Sequence, residues 1–307
     1  MQIDSPQHQD FSGSPLAILL QVVKRTEKQT GTTWAFTARQ FAFGGATFVN
    51  RVIYIDGGYA DELFDLNLKV AHDRRYDPAS LTAGSIVEFI ITSGILVSGS
   101  TTSTYALTNP NTWPSGVFVR LVIESGAIGV VGRGGNGGNG SNSGNGQNGK
   151  NGGRGMLIQY PIDIQNYAVI ASGGGGGGGG AYGADGGLRG GGGGGGGGAP
   201  YGVGGLLAFN GIFGNIQTVP TNGQSATSAN TTQNGGLGGR MSQSGDFGQG
   251  GFGGNGGAFG QNGTNAFGVA GEDFGVDGAG GVAGDYAIVG ISFVTFSAMG
   301  TIYGATS

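Results

Sequence analysis

The chain contains no cysteine. Disulfide staples and thiolate metal sites are therefore excluded, and whatever holds the fold is non-covalent. Proline is scarce, eight in 307 residues. That rules out a collagen-type triple helix despite abundant glycine. Charge is scarce too: Asp, Glu, Lys and Arg make up 10%, against about a quarter in an ordinary soluble domain. The surface must then be polar without charge, which the Asn, Gln, Ser and Thr content supplies. The net charge of −4 does not segregate along the chain, so no basic face points to nucleic acid or to an anionic membrane surface. The apolar run at residues 16–20, with Val22 and Val23, is far too short to span a bilayer, so membrane insertion is not expected. Residues 1–10 are polar and acidic and lack the basic start of a secretory leader. The expectation is a protein assembled in the cytosol of the cell that makes it, or released by lysis.

Histidine is limited to His8 and His72. A Ser-His-Asp triad would need one of them, and no G-x-S-x-G elbow is present. His72-Asp73-Arg74-Arg75 reads as a solvated charge run. Residues 144–151 fit G-x-x-x-x-G-K, but Asn151 stands where Ser or Thr is needed and Gly152-Gly153 follows in place of a helix. The calcium nonapeptide is missing its spacing at residues 280–285. Glu272 and Asp273 are paired carboxylates in a loop without a partner motif. The expectation is a protein with no catalytic residue, no metal and no cofactor.

What is present is glycine. All but 13 of the 74 glycines fall between Gly126 and Gly284. Residues 173–180 and 190–198 are glycine throughout, and around them glycine recurs every third residue, as in Gly134, Gly137, Gly140, Gly146, Gly149 and Gly152. A period of three matches neither the helix nor the strand. It is the period of the extended left-handed helix with three residues per turn and no internal hydrogen bonds. The backbone groups of such a helix point outward and need partners. A row of glycines lets a neighbour come close enough to supply them, and a pure run does so on all three faces. A flexible linker needs no such period and avoids the apolar segments at residues 156–164 and 206–213 that alternate with the glycine tracts. The expected scaffold is a bundle of polyglycine II helices, with Gly134, Gly137, Gly140, Gly176, Gly194, Gly251, Gly254 and Gly257 among its contact positions.

In chain order, residues 1–13 read as a tail. Strand signals follow at residues 17–23, 34–43, 48–56, 63–70, 85–97 and 117–123, with Asp56-Gly57-Gly58 as a hairpin turn. No stretch reads as a long amphipathic helix. The expected fold is all-β: an N-terminal antiparallel sandwich or barrel over 1–125 serving attachment, a glycine-rich domain over 126–284 with distal loops, and a C-terminal return strand within 285–307. Interruptions of the glycine beat should fall at rod ends. Those carrying aromatics or charge, Tyr182, Asp185, Tyr201, Phe209, Phe213, Phe247, Phe267 and Phe274, are the candidate contact residues. Tyr182 and Tyr201 flank the pure runs and read as tip residues. Exposed tyrosine among Asn, Ser and Gly is the composition of adaptable recognition loops.

Two stretches carry a resemblance. Ile123-Glu124-Ser125-Gly126-Ala127-Ile128 leads into residues 132–140, and Asn166-Tyr167-Ala168-Val169-Ile170 leads into residues 173–180. Apolar strands feeding glycine tracts in this way resemble the tail-tip and tail-fibre adhesins of tailed bacteriophages, over roughly residues 118–296. The resemblance implies a virion protein at the phage tail tip, in partnership with other tail proteins and acting as a homotrimer. It would bind a host surface receptor (a glycan, a pilus or an outer-membrane protein) through loops of the glycine domain. Other readings are a non-adhesive structural component of the tip, an ice-binding polyglycine protein, and an enzyme acting on surface polysaccharide.

Overall fold

The computed structural model describes residues 39–43, 46–59, 62–185, 188–208, 215–228, 234, 240–243, 246–269 and 273–307. They belong to one compact unit, Ala38–Ser307. The expected tail and the strand signal at residues 17–23 lie outside the described residues.

β1 (Arg39–Phe43) and β2 (Ala46–Ile55) pair antiparallel. From β2 onward the chain winds. It passes Phe64, bridged parallel to Ser98, then β3 (Leu66–Asn67), α1 (Leu68–Asp73), β4 (Ile86–Ile91), β5 (Leu96–Ser98) and β6 (Tyr105–Asn109). It continues through β7 (Phe118–Ile123), β8 (Gly129–Val131), β9 (Arg154–Ile158), β10 (Ile162–Asn166) and β11 (Val169–Ala171). Six short strands follow far from this stack: β12 (Gly183–Asp185), β13 (Leu188–Gly190), β14 (Asn215–Thr218), β15 (Arg240–Gln243), β16 (Asp246–Gln249) and β17 (Asp273–Phe274). The winding then resumes with β18 (Tyr286–Val289), β19 (Val294–Ala298), β20 (Thr301–Tyr303) and β21 (Ala305–Thr306).

Sheet A stacks β1, β2, β4, β7, β10 and β19; sheet B stacks β5, β8, β11 and β20; sheet C stacks β3, β6, β9, β18 and β21. Every pairing in these three sheets beyond β1–β2 is parallel. Successive strands visit A, B and C in turn, so the body is a three-sided parallel β-solenoid. This corrects the antiparallel sandwich or barrel. Residues 56–58 form a solenoid corner in place of the expected hairpin, with Asp56 Oδ1 accepting from Gly58 N at 2.9 Å. The stretch 85–97, read as one strand, is broken at Gly94, whose φ of +79° turns the chain from sheet A to sheet B. Residues 286–296 break in the same way at Gly290, φ +86°. Residues 63–70 form β3 and then α1. Asn67 caps the helix by accepting from Val70 N at 3.1 Å, and Leu68, Ala71 and His72 supply its buried face.

Three ladders of side chains fill the interior. Ile53, Phe89, Leu121, Ile164 and Phe296 are in register on sheet A. Leu66, Leu107, Met156 and Ile288 line up on sheet C, and Val97, Val130, Ile170 and Ile302 on sheet B. All but Phe296 and Ile302, on the final turn, are fully buried. Each such side chain contributes about 1.5–3 kcal/mol of burial.

The glycine region is inserted into this solenoid at one corner. Residues 132–153 leave after β8 in sheet B and return to β9 in sheet C; residues 172–285 do the same one turn later, between β11 and β18. Strands on both sides of residue 125 therefore share sheet A, β4 and β7 with β10 and β19.

Within the insertions the backbone bonds in threes. Gly173, Gly176 and Gly179 donate to Gly153, Lys150 and Gln147. Gly174, Gly177 and Gly180 donate to Ala199, Gly196 and Gly193, and Gly175 and Gly178 to Gln261 and Thr264. Their carbonyls accept from three further segments: from Gly135, Gly138 and Ser141, from Gly257 and Gly254, and from Gly284, Gly281 and Gly278. The run 173–180 is thus surrounded by six neighbours, and each successive residue turns to the next. The run 191–198 behaves alike, donating in rotation to residues 141, 138 and 135, to 251 and 254, and to 221 and 224. Both runs are entirely buried.

Candidate functional site

The lattice has two ends. At one end the segments join the solenoid through residues 132, 153, 173 and 284. At the other, Ser141, Ala181, Tyr182, Gly251 and Gly275 come together: Ser141 N donates to Gly180 O, Gly251 N to Ala181 O, and Gly275 N to Tyr182 O, all within 2.9–3.0 Å. Asp277 closes this end by accepting from Ala181 N at 2.8 Å. The far end carries strands in place of glycine. β12, β13 and β17 form one small sheet and β14, β15 and β16 another, and the two pack together through β12, β13, β15 and β16.

Of the expected contact residues, Tyr182 stands at the far end, half-buried beside β12. Phe274 lies on β17 with 55% of its surface exposed. Phe267 is 62% exposed and stacks on Phe252, with ring centroids 5.3 Å apart and planes at 24°. Their backbones exchange hydrogen bonds, Phe252 N to Phe267 O at 2.6 Å and Phe267 N to Phe252 O at 3.1 Å. Gly268, at φ +85°, lies under the Phe252 ring and leaves it no room for a side chain. Asp185 and Phe247 belong to β12 and β16, and their side chains are outside the described set. Phe209 and Phe213 lie outside the described residues.

Tyr201 is elsewhere. It follows the turn at Ala199-Pro200 at the solenoid end and adopts a left-handed backbone, φ +62°. Its ring lies 5.7 Å from Phe64 and 5.8 Å from the Arg133 guanidinium. It packs against Leu96, Val131, Ala171, Ala199, Ala226 and Phe259, the apolar seam between sheet B and the glycine segments. Burial pushes its phenol pKa up, with Arg133 opposing. Tyr201 is a foot of the lattice, not a tip residue, because the run 191–198 travels back toward the solenoid before reaching it.

The named scaffold glycines all sit at close approaches. A Cβ on Gly134, Gly137 or Gly140 would overlap the carbonyl of Gly198, Gly195 or Gly192. On Gly176 and Gly194 it would strike Asn136 and Gly205, on Gly254 and Gly257 Thr264 and Gln261, and on Gly251 the Asp277 carboxylate.

Sequence reasoning passed over the asparagines that edge the lattice. Asn145, Asn148 and Asn151 accept through Oδ1 from Val276, Ala279 and Val282 N, at 2.8–3.1 Å. Asn136 and Asn139 accept likewise from Val203 and Leu206 N. An outer segment lacks a backbone neighbour on its solvent side, and the amide oxygen supplies the missing acceptor. The signal was legible, since these asparagines share the three-residue period. His72 is also corrected: it is fully buried, not solvated. Its Nδ1 meets Asp73 at 2.8 Å, its Nε2 meets Arg51, and its ring stacks on Tyr76 and meets Trp113 edge-on. Desolvation lowers its pKa, with the Arg51 charge adding to the effect and Asp73 opposing it. Among the described residues no group of His, Asp and Glu is placed to hold a metal ion, and no helix is long and apolar enough to cross a membrane.

The class defined by these features is a presentation scaffold: a solenoid base, a backbone-bonded lattice, and a far end of short strands with exposed aromatic rings. The family model of the phage tail fibre adhesin Gp38 matches residues 53–307, and the chain belongs to that family. It is accordingly a receptor-binding adhesin of a phage tail. The chain is also similar to the crystal structure of the gp37–gp38 adhesin tip complex of the bacteriophage S16 long tail fibre, at 23% identity, with 84% of this chain and 83% of that chain covered and a TM-score of 0.49. Comparison with curated proteins returns no match.

Proposed function

We propose that this adhesin contacts its host receptor through the end of the glycine lattice opposite the solenoid, with Phe267, Phe274 and Tyr182 among the contact groups. The observation that carries this reading is the exposure of Phe267 and Phe274 at the end of a frame whose interior is bonded backbone to backbone. Changes there leave the frame intact, which is what a variable contact surface needs. We also read the glycine segments as polyglycine II helices. The rotation of donors and acceptors through successive neighbours, three residues per cycle, supports that reading. The solenoid end would then face the other tail proteins.

The test is adsorption of the purified protein to a panel of bacterial strains, with Phe267→Ala, Phe274→Ala and Tyr182→Ala alongside. Saturable binding that drops at least tenfold in these variants, with unchanged melting, is expected. Undiminished binding in all three would move the contact surface to another part of the molecule. Failure to bind any strain would favour a scaffolding role within the tail tip.

A further inference from the structure

A cleft of about 570 Å³ opens at the solenoid end, on the corner from which the glycine insertions leave. Three successive turns build it. Thr102 and Ser103 come from the loop between β5 and β6, Arg154 begins β9, and Asp285 precedes β18; residues 149–152 of the first glycine insertion form the remaining wall. Its volume lies within the range of about 300–1,000 Å³ usual for small-ligand sites, but its lining is polar.

The hydrogen-bonding groups divide clearly. Arg154 is committed, donating to Asp285 Oδ2 at 2.9 Å and to the Tyr105 hydroxyl at 3.3 Å. Its charge is offset by Asp285, whose other oxygen accepts from none of the described residues. Asn151 accepts through Oδ1 from Val282 N at 3.1 Å, which leaves its amide hydrogens to donate. Ser103 is exposed, and its hydroxyl, which shares one hydrogen bond with Thr101 Oγ1 at 2.9 Å, has capacity for a second; Thr102 adds backbone groups. Lys150 is exposed, and its ammonium has no partner among the described residues. The cleft therefore holds one uncompensated positive charge within a ring of mixed donors and acceptors. A polyol with a single negative charge satisfies both requirements.

We propose that this cleft binds an acidic sugar of the uronate type. Lys150 takes the carboxylate, the free oxygen of Asp285 accepts from a ring hydroxyl, and the amide of Asn151 and the hydroxyl of Ser103 complete the contacts. The site is distinct from the far-end surface, so its failure would leave the receptor-contact reading standing.

The experiment is titration of the full-length protein with galacturonate, galactose and acetate, followed by calorimetry and saturation-transfer NMR. Galacturonate is expected to bind with a Kd on the order of 1 mM, as its few heavy atoms allow, and galactose and acetate at least tenfold more weakly. Lys150→Ala and Lys150→Met, which keeps the aliphatic stem, are each expected to weaken galacturonate binding at least tenfold. Arg120→Gln, which removes a positive charge from the outer face of sheet A, is expected to leave it unchanged. Absence of saturable galacturonate binding overturns the proposal. So does acetate binding as tightly as galacturonate, which would reduce the cleft to a lone cation, or undiminished binding in folded Lys150 variants.

Discussion

The solenoid and the glycine lattice solve the same problem by opposite means. In the solenoid, strands bond to strands and side chains do the packing: Ile53, Phe89, Leu121 and Ile164 climb one wall in register. In the lattice the backbone does both. The run 173–180 has six neighbours bonded directly to its peptide groups and nothing between them for a side chain to fill. The solenoid is specified by which residues are present, the lattice by which atoms are absent. The first therefore tolerates a methylene more or less at moderate cost, whereas the second has no room for a Cβ anywhere along the run 173–180. An adhesin gains from this division. The lattice can carry exposed aromatics on its far end without depending on them, while the solenoid anchors it through two adjoining turns of a single corner.

The sharpest way to break this comparison is Gly176→Val. The new Cβ overlaps the Asn136 carbonyl, and a backbone atom bonded on every side cannot yield. A loss beyond about 4–5 kcal/mol is expected, seen as loss of soluble, cooperatively melting protein; a variant with wild-type melting would refute close backbone packing there. Leu121→Ala in the solenoid leaves a cavity in a fully buried ladder and is expected to cost about 2–5 kcal/mol in denaturant unfolding. Asn148→Ala removes the acceptor for Ala279 N at the lattice edge. Water can replace it there, so a loss of about 0.5–1.5 kcal/mol is expected, well below that for Gly176→Val. Phe274→Ala should shift stability by less than about 0.5 kcal/mol, although adsorption falls.

Acid should also separate the two regions. His72 is buried in the solenoid against Arg51, and its pKa is lowered, first by desolvation. A depressed histidine pKa means the fold favours the neutral ring. Its contribution is fully present above the unfolded-state value of about 6.5 and is lost as pH falls below it. Denaturation midpoints measured from pH 7.5 down to 5 should fall for the wild type. The fall should be shallower in His72→Gln, whose buried amide does not titrate; equal slopes would remove His72 from the acid response.

Much of the lattice was legible because its rule is local. Glycine at every third position puts bare backbone on one face whatever the neighbour is, and the asparagines on the same beat mark its edges. Less of the solenoid was legible. Alternation in Ile86–Ile91 and Phe118–Ile123 announces strands with one buried face, yet it is the same for parallel and antiparallel partners. Short strands broken at Gly94 and Gly290 read as longer ones, because a corner and a bulge share the same residue. α1 was missed because Leu66, Leu68 and Val70 alternate as a strand would, while the cap at Asn67 and the buried Leu68, Ala71 and His72 show the helix only once the core is known.

By itself the sequence determined that this protein is β-rich, free of covalent staples, and built around glycine segments that must touch backbone to backbone. Those properties follow from composition and from short-range spacing. Tertiary structure alone decided that the strands wind into three parallel sheets, that both glycine insertions leave from one corner, and that Tyr201 is a foot of the lattice while Tyr182 is at its tip. The reason is direction. A segment with a three-residue repeat looks the same whether it runs outward or back, so which end a residue occupies depends on how many reversals the chain has made before reaching it. Only the partners of Gly180, Gly193 and Pro200 record that count.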